Sequence, residues 1–150
     1  MLETLSSYFQ KSKGKAIELN GRLIQPIYQE KINSKHKIIL IKRIKAINSP
    51  VQGIRIKAVN GSIKVNDQSH SEIILWADTS PESVSIEVSS KSGCELKYWN
   101  VWKAGEIAQA WVGNAGIHVR KMENVVTLEC SDGSGEVDLS NLVVQIEELN

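Results

Sequence analysis

The sequence predicts an all-β fold, an antiparallel β-sandwich of the jelly-roll or immunoglobulin-like kind, with or without a short N-terminal helix. About nine to eleven short segments alternate apolar and polar residues, as strands with one buried face do. Turn signals such as Asn-Gly, Ser-Pro and Gly-rich steps separate these segments about every 8–12 residues. No long segment places its apolar residues at the 3.6-residue period of a helix, so an α-helical fold is not expected.

The chain has the size of one domain, with 150 residues and a mass of 16.7 kDa. Residues 1–15 predict a tail or short helix, because Leu2, Leu5 and Phe9 recur near helical spacing before a basic stretch. Residues 16–150 are predicted to form a single β-sandwich domain. No basic segment followed by an apolar run opens the chain, and no stretch approaches the ~18 apolar residues of a membrane span. We therefore expect a cytoplasmic protein without a membrane partner.

Two Asn-Gly steps predict hairpins in the first half of the chain, because Asn-Gly readily adopts the positive φ angles of a two-residue turn. The first hairpin spans residues 16–27. The second joins residues 53–59 to residues 62–65, and its alternation is the clearest in the chain. Further strands are predicted at residues 37–47, 72–76, 84–88, 94–102, 107–112, 117–120, 125–130 and 139–146, with a polar loop at 66–71 and an acidic loop at 131–138.

The second hairpin carries a candidate basic surface. Its alternation places Arg55, Lys57 and Lys64 together on the face opposite its isoleucines. Such a face could contact phosphates, but no aromatic residue lies between Lys31 and Lys64, and proteins that bind single strands usually stack bases on such rings. A nucleic-acid partner is therefore not expected, and a solvated set of lysines that protects a sheet edge is the commoner explanation.

A candidate ligand-binding surface lies in residues 95–119, which contain three of the four tryptophans and several side-chain amides. Alternation places Tyr98 and Trp99 on opposite faces of one strand, so at least one ring points away from the core. Flat aromatic faces beside amides suit a glycan or a protein partner, although the same residues also build an ordinary β core. The predicted binding residues are Trp99, Asn100, Trp102, Trp111 and Asn114.

The sequence gives no reason to expect an enzyme, a cofactor or a metal ion. A nucleophile elbow, a P-loop and an H-E-x-x-H motif are all missing, and the three histidines share no ligand spacing. The acidic loop 131–138 alternates oxygen side chains but fails the EF-hand rule, so it predicts a solvated turn and leaves calcium open. Cys94 and Cys130 each lie on the apolar side of a predicted strand. They are either free buried thiols or, if their strands are neighbours, a disulfide.

The charge distribution supplies an alternative function. Residues 1–65 carry 13 basic and 3 acidic side chains, whereas residues 66–150 carry 5 basic and 14 acidic ones, although the net charge is only +1. Our leading hypothesis is a non-enzymatic binding module that uses the aromatic and amide surface. The alternatives are a partner-neutralising, immunity-type protein that acts by charge complementarity, and a structural subunit of a larger assembly. The oligomeric state stays open.

Overall fold

A computed structural model describes residues 3–149 of the chain. It is an all-β sandwich with one short N-terminal helix, which confirms the predicted fold class. The secondary-structure elements, in chain order, are α1 (Leu5–Ser12), β1 (Ile17–Leu19), β2 (Arg22–Ile24), β3 (Tyr28–Ile32), β4 (His36–Ala46), β5 (Gln52–Val59), β6 (Ser62–Val65), β7 (Gln68–His70), β8 (Glu72–Trp76), β9 (Ser83–Ser89), β10 (Cys94–Ala104), β11 (Ile107–Gln109), β12 (Gly116–Met122), β13 (Val125–Ser131) and β14 (Leu142–Glu148).

The two main sheets are both antiparallel. The larger one has seven strands in the order β12-β13-β14-β4-β9-β6-β7. The smaller one has the order β11-β10-β5-β8, and β3 pairs with β10 on the side that β11 also uses. The isoleucine-rich segment is the long central strand β4, as its β-branched residues predict. Strand β10 has the corresponding central place in the smaller sheet, where β5 pairs with it over eight residues.

The core lies between the inner faces of these two sheets. From the smaller sheet it takes Ile54, Ile56, Leu96 and Tyr98, which are all buried. From the larger sheet it takes the facing residues of β4, β9, β13 and β14, and all of these form one continuous hydrophobic cluster. Burying apolar surface stabilises a fold by about 25 cal/mol per Å², so this cluster is the main source of stability. The side chains between the core residues point outward, which fixes the two outer faces of the sandwich.

The second predicted hairpin is wrong. Strand β5 pairs with β10 and β8 in the smaller sheet, whereas β6 pairs with β9 and β7 in the larger one. The chain crosses between the sheets near Asn60, which has a positive φ angle of 66°. The alternation requires only that the isoleucines of both segments are buried. A hairpin would bury them from one sheet, whereas the crossing buries them in the same core from two opposite sheets. Lys64 consequently lies on a different sheet from Arg55 and Lys57.

The first predicted hairpin is confirmed, and together with the helix it forms a small separate cluster. Strands β1 and β2 pair across Asn20 and Gly21, whose φ angles of 54° and 80° are those of a tight turn. Leu5 and Phe9 of α1 pack on Ile24 of β2. This cluster sits at the start of β12, where a Cβ atom added to Gly116 would lie 2.6 Å from Ile24 Cγ2.

The structure differs from the predicted strands at three further places. Residues 68–70, expected in a loop, form the short edge strand β7. Strand β3 was not predicted, and it covers one side of β10. The predicted strand 107–112 ends as β11 at Gln109, and Trp111 has a φ angle of 61°, in the left-handed region. A residue in that conformation leaves the strand, so Trp111 does not follow the alternation of its neighbours.

Candidate partner-binding surface

Strand β10 carries three of the predicted binding residues, and they lie on its two opposite faces. Its inner face carries Tyr98, Asn100 and Trp102, and its outer face carries Lys97 and Trp99. Side chains alternate in direction along a strand, so adjacent members of the predicted site point into opposite environments. The five residues therefore do not form a single surface.

The outer face of the smaller sheet is where two of these residues meet. The rings of Trp99 and Trp111 are stacked, with centroids 4.9 Å apart and planes at 29°. The guanidinium carbon of Arg55 lies 5.7 Å from the centroid of Trp99, its neighbour across the β5–β10 pair. Because Trp111 and Arg55 cover it, only 7% of Trp99 is exposed, whereas 46% of Trp111 is exposed. The outer ring of the stack is thus the one that faces solvent.

Trp111 is held in a defined position despite its exposure. Its indole Nε1–H donates a hydrogen bond to the carbonyl oxygen of Pro26 at 3.2 Å. The stack on Trp99 fixes the plane of the ring, and an offset aromatic pair contributes about 0.5–1.5 kcal/mol. A side chain fixed in this way loses little rotamer freedom when a partner covers it.

Basic residues lie directly beside this stack. Arg55 forms a close ion pair with Glu72 of β8, while Lys57 and Lys97 face each other across the β5–β10 pair. Among residues 3–149, no carboxylate lies within 4.0 Å of either lysine ammonium group. The structure therefore joins part of the predicted basic surface to part of the predicted aromatic one. We call this surface, made of Arg55, Lys57, Lys97, Trp99 and Trp111, the tryptophan–lysine face.

Lys97 is the residue of this face that the sequence interpretation missed. It precedes Trp99 by two positions, so alternation alone places both on one side of the strand. Trp76 of β8 was also missed. Its ring covers Gly53, where an added Cβ atom would lie 2.7 Å from Trp76 Cε3, and the ammonium group of Lys103 lies 4.9 Å from its centroid.

Trp102 and Asn100 have structural roles on the inner face. Trp102 is 4% exposed and packs so closely on the acidic loop that a Cβ atom added to Gly133 would lie 2.6 Å from its ring. The Asn100 amide donates to the carbonyl oxygen of Ser131 at 2.9 Å. Both side chains hold the loop after β13 against β10, so neither is available at the surface.

Asn114 links three parts of the fold. Its Oδ1 atom accepts a hydrogen bond from the backbone N–H of Leu5, at the first turn of α1, at 3.1 Å. Its Nδ2 group donates to the carbonyl oxygen of Gly135 at 2.9 Å. Because both ends of its amide are engaged within the chain, Asn114 acts as a brace between the helix and the acidic loop.

The carboxylates of the acidic loop are directed to separate partners. Asp132 is buried, and its two oxygens accept hydrogen bonds from Gln52 Nε2 at 2.8 Å and from the hydroxyl of Ser134 at 2.8 Å. Asp138 accepts from the hydroxyl and the backbone N–H of Ser140, and these bonds hold the pKa of the Asp138 carboxyl below its usual range. Within residues 3–149, no three His, Cys, Asp or Glu side chains are grouped so that they could hold a metal ion.

A half-buried carboxyl group lies at the opposite end of the inner face. Glu30 of β3 points inward beside Tyr98, and the hydroxyl of Tyr28 donates to its Oε2 atom at 3.2 Å. Burial, followed by the negative charge of Glu148, raises the pKa of the Glu30 carboxyl above its usual range. Lys121 of β12 lies 5.7 Å from the centroid of Tyr28.

Cys94 and Cys130 are both free thiols. They lie in different sheets, on β10 and β13, so they are not neighbours within one sheet. Burial raises the pKa of both thiols above the ordinary value for cysteine. Since the thiolate is the reactive form, this environment disfavours it at both positions, and Cys130 is also buried whereas Cys94 is only partly buried.

The opposite charges of the two halves of the chain interleave in the larger sheet. The basic strand β4 lies between β9 and β14, which carry Glu87, Glu147 and Glu148. Lys37 Nζ lies 3.8 Å from a carboxylate oxygen of Glu148. The asymmetry seen along the sequence is therefore offset locally in this sheet.

Comparisons with known proteins give no relative: no family model, no curated protein and no solved structure matches this chain. Over residues 3–149, the structure has no helix with the length and apolar character needed to cross a membrane.

Proposed function

We propose that this chain is a non-enzymatic β-sandwich module that binds a protein partner on the tryptophan–lysine face. The observation that supports this most directly is Trp111, a large ring that is 46% exposed yet fixed by a stack and a hydrogen bond. Tryptophan and arginine are enriched among the few interface residues that dominate binding energy, and truncation of such residues commonly costs about 2 kcal/mol or more. Here the guanidinium carbon of Arg55 lies 5.7 Å from the centroid of Trp99, and Lys57 and Lys97 lie on the same face.

A protein partner fits this face better than a glycan does. Surfaces that hold a sugar chain by stacking need several exposed rings, whereas Trp99 is covered and Trp76 is only partly exposed. A fixed tryptophan close to an arginine, with polar and charged residues around them, matches the anchor residues and polar rim of a protein interface. Glycan binding through Trp111 alone is the second candidate, and the same variant tests it.

The test is affinity capture from an extract of cells that express this chain, with the purified protein immobilised as bait and the retained proteins quantified by mass spectrometry. Wild type is compared with Trp111→Ala. We expect at least one retained protein to fall by roughly tenfold or more with the variant, since an interface tryptophan contributes about 2 kcal/mol. Met122→Ala is the matched control, because Met122 is 75% exposed but lies on β12 in the other sheet.

Circular dichroism and urea unfolding establish first that both variants are folded. The proposal fails if the retained proteins respond equally to Trp111→Ala and Met122→Ala. It also fails if nothing is retained and a glycan array shows binding that Trp111→Ala removes, because the ring then serves a sugar.

A further inference from the structure

The pair formed by Lys57 and Lys97 is the basis of a further inference about the partner. These lysines are directly opposite each other on β5 and β10, and they share the outer face. Directly opposite residues in an antiparallel pair have Cβ atoms about 4.5–5.5 Å apart, and like charges at that separation destabilise the sheet. The free protein therefore places two like charges at directly opposite positions of its outer face.

Among residues 3–149, neither of the neighbouring carboxylates, Glu72 and Glu95, forms an ion pair with Lys57 or Lys97. Glu72 lies opposite Lys57 on β8, but its carboxylate contacts Arg55. On the other side of Lys97, the residue opposite on β3 is the uncharged Gln29. An anionic group placed between the two ammonium groups would add two attractions at shorter distances, and these would outweigh the one repulsion.

We propose that the partner inserts a carboxylate between Lys57 and Lys97 while a neighbouring side chain of the partner covers Trp111. This inference rests on the proposed function, and it specifies the chemistry of the partner as an acidic segment of a protein. The spacing suits such a segment. Lys97 and Trp99 are two residues apart on one face, which is about 7 Å along a strand, and Trp111 is stacked on Trp99. Alternate side chains of an extended peptide are also about 7 Å apart.

A carboxylate explains the surface better than the phosphates of a nucleic acid. The outer face also carries Glu72 and Glu95, which would repel a chain with one negative charge on every nucleotide. Proteins that bind single strands stack successive bases on several rings, whereas only Trp111 of this stack is open to solvent. A protein can place one carboxylate between the lysines and keep its other groups neutral.

The experiment uses the full chain, labelled with ¹⁵N, and three defined probes: a ten-residue peptide of alanine and serine with one central glutamate (the glutamate peptide), the same peptide with lysine in that place (the lysine peptide) and a strand of ten thymidines. Chemical shifts of the Lys57 and Lys97 amides and of the Trp111 indole N–H are followed during titration. We expect the glutamate peptide to shift these three signals in a saturable way, with an affinity that falls as salt is added. We expect the lysine peptide to leave them unchanged.

Two variants locate the effect. The double variant Lys57→Gln, Lys97→Gln should weaken glutamate-peptide binding by about tenfold or more, since it removes both charges that hold the carboxylate. Lys64→Gln, which removes an exposed lysine on the other sheet, should change it by less than about twofold. Unchanged backbone spectra outside the face show that each variant is folded.

Three results would overturn the inference: no shift of these signals by the glutamate peptide, equal losses in the two variants, or tighter binding of the thymidine strand to the same residues. The proposed function is judged separately in the capture experiment. If proteins that depend on Trp111 are retained equally by the double lysine variant, the acidic-partner inference fails and the binding face stands. If retention does not depend on Trp111, the binding face itself fails.

Discussion

The two faces of the smaller sheet use the same kinds of residue for opposite purposes. On the inner face, Trp102 and Asn100 fasten the acidic loop to β10, and their polar atoms or rings are occupied within the chain. On the outer face, Trp99 supports Trp111, whose ring is exposed and whose indole N–H is already satisfied. A tryptophan in a sequence is therefore not informative by itself. What matters is whether its face of the strand is closed by the protein or left for a partner.

The largest expected effect is on the inner face, from Trp102→Ala. The variant removes a large buried ring and leaves a cavity under the acidic loop, so we expect the free energy of unfolding to fall by about 3–5 kcal/mol. Trp111→Ala removes an exposed ring and one stacking contact, and its loss should be about 1.5 kcal/mol or less. Urea unfolding followed by circular dichroism measures both. Equal losses would mean that the two faces do not differ as described.

The pH dependence of stability tests the inner face through Glu30. Burial raises the pKa of the inner-face Glu30, so the folded protein binds a proton there more tightly than the unfolded chain does. The stabilising contribution is therefore complete below the unfolded pKa of about 4.3 and is lost as pH rises through the folded pKa. Glu30→Gln keeps an acceptor for Tyr28 but does not titrate. We expect the variant to gain stability relative to wild type as the pH rises from 4 to neutrality.

The matched variant on the outer face is Glu95→Gln, and its effect on stability at neutral pH should have the opposite sign to that of Glu30→Gln. Glu95 lies directly opposite Lys31 across the β3–β10 pair, and such exposed opposite charges contribute about 0.2–1 kcal/mol. Removing that charge should lower the stability at neutral pH. Thermal unfolding of both variants at several pH values compares them. A loss in Glu30→Gln at neutral pH would contradict the burial of the Glu30 carboxyl group. A gain in Glu95→Gln would contradict a favourable pairing of Glu95 with Lys31.

Local patterns in the sequence predict the fold class well and the pairing of strands poorly. The isoleucine-rich β4 and the clean alternation of β9 are visible because they depend on neighbouring residues alone. Alternation tells which residues share a face of one strand, but it does not tell which sheet the strand joins. The segments now known as β5 and β6 look like a hairpin for that reason, although they belong to different sheets.

The candidate site shows the same limit. Alternation separates Trp99 from Asn100, and it also places Lys97 beside Trp99, so part of the outer face is predictable. The contact between Trp99 and Arg55 is not predictable, because it depends on the pairing of two strands that are distant in the sequence and brings together residues 44 positions apart. The exposure of Trp111 depends on its left-handed backbone, and local residue types favoured a strand there.

The smallest expected effect concerns the lysine pair in the free protein. Lys97 faces Lys57 on one side and Gln29 on the other, so Lys97→Gln removes a repulsion without breaking an ion pair. We expect the variant to be more stable than wild type by about 0.2–1 kcal/mol at low salt. The difference should shrink toward zero at 1 M salt, where charges are screened over about 3 Å.

Lys64→Gln is the control for this last prediction. Lys64 lies opposite Glu87 in the larger sheet, so its charge is favourable and its removal should leave stability unchanged or slightly lower. Urea unfolding at two salt concentrations separates the two lysines. A loss of stability in Lys97→Gln at low salt would mean that its charge already has a partner within the chain, and the outer face would then hold no stored repulsion for an acidic partner to relieve.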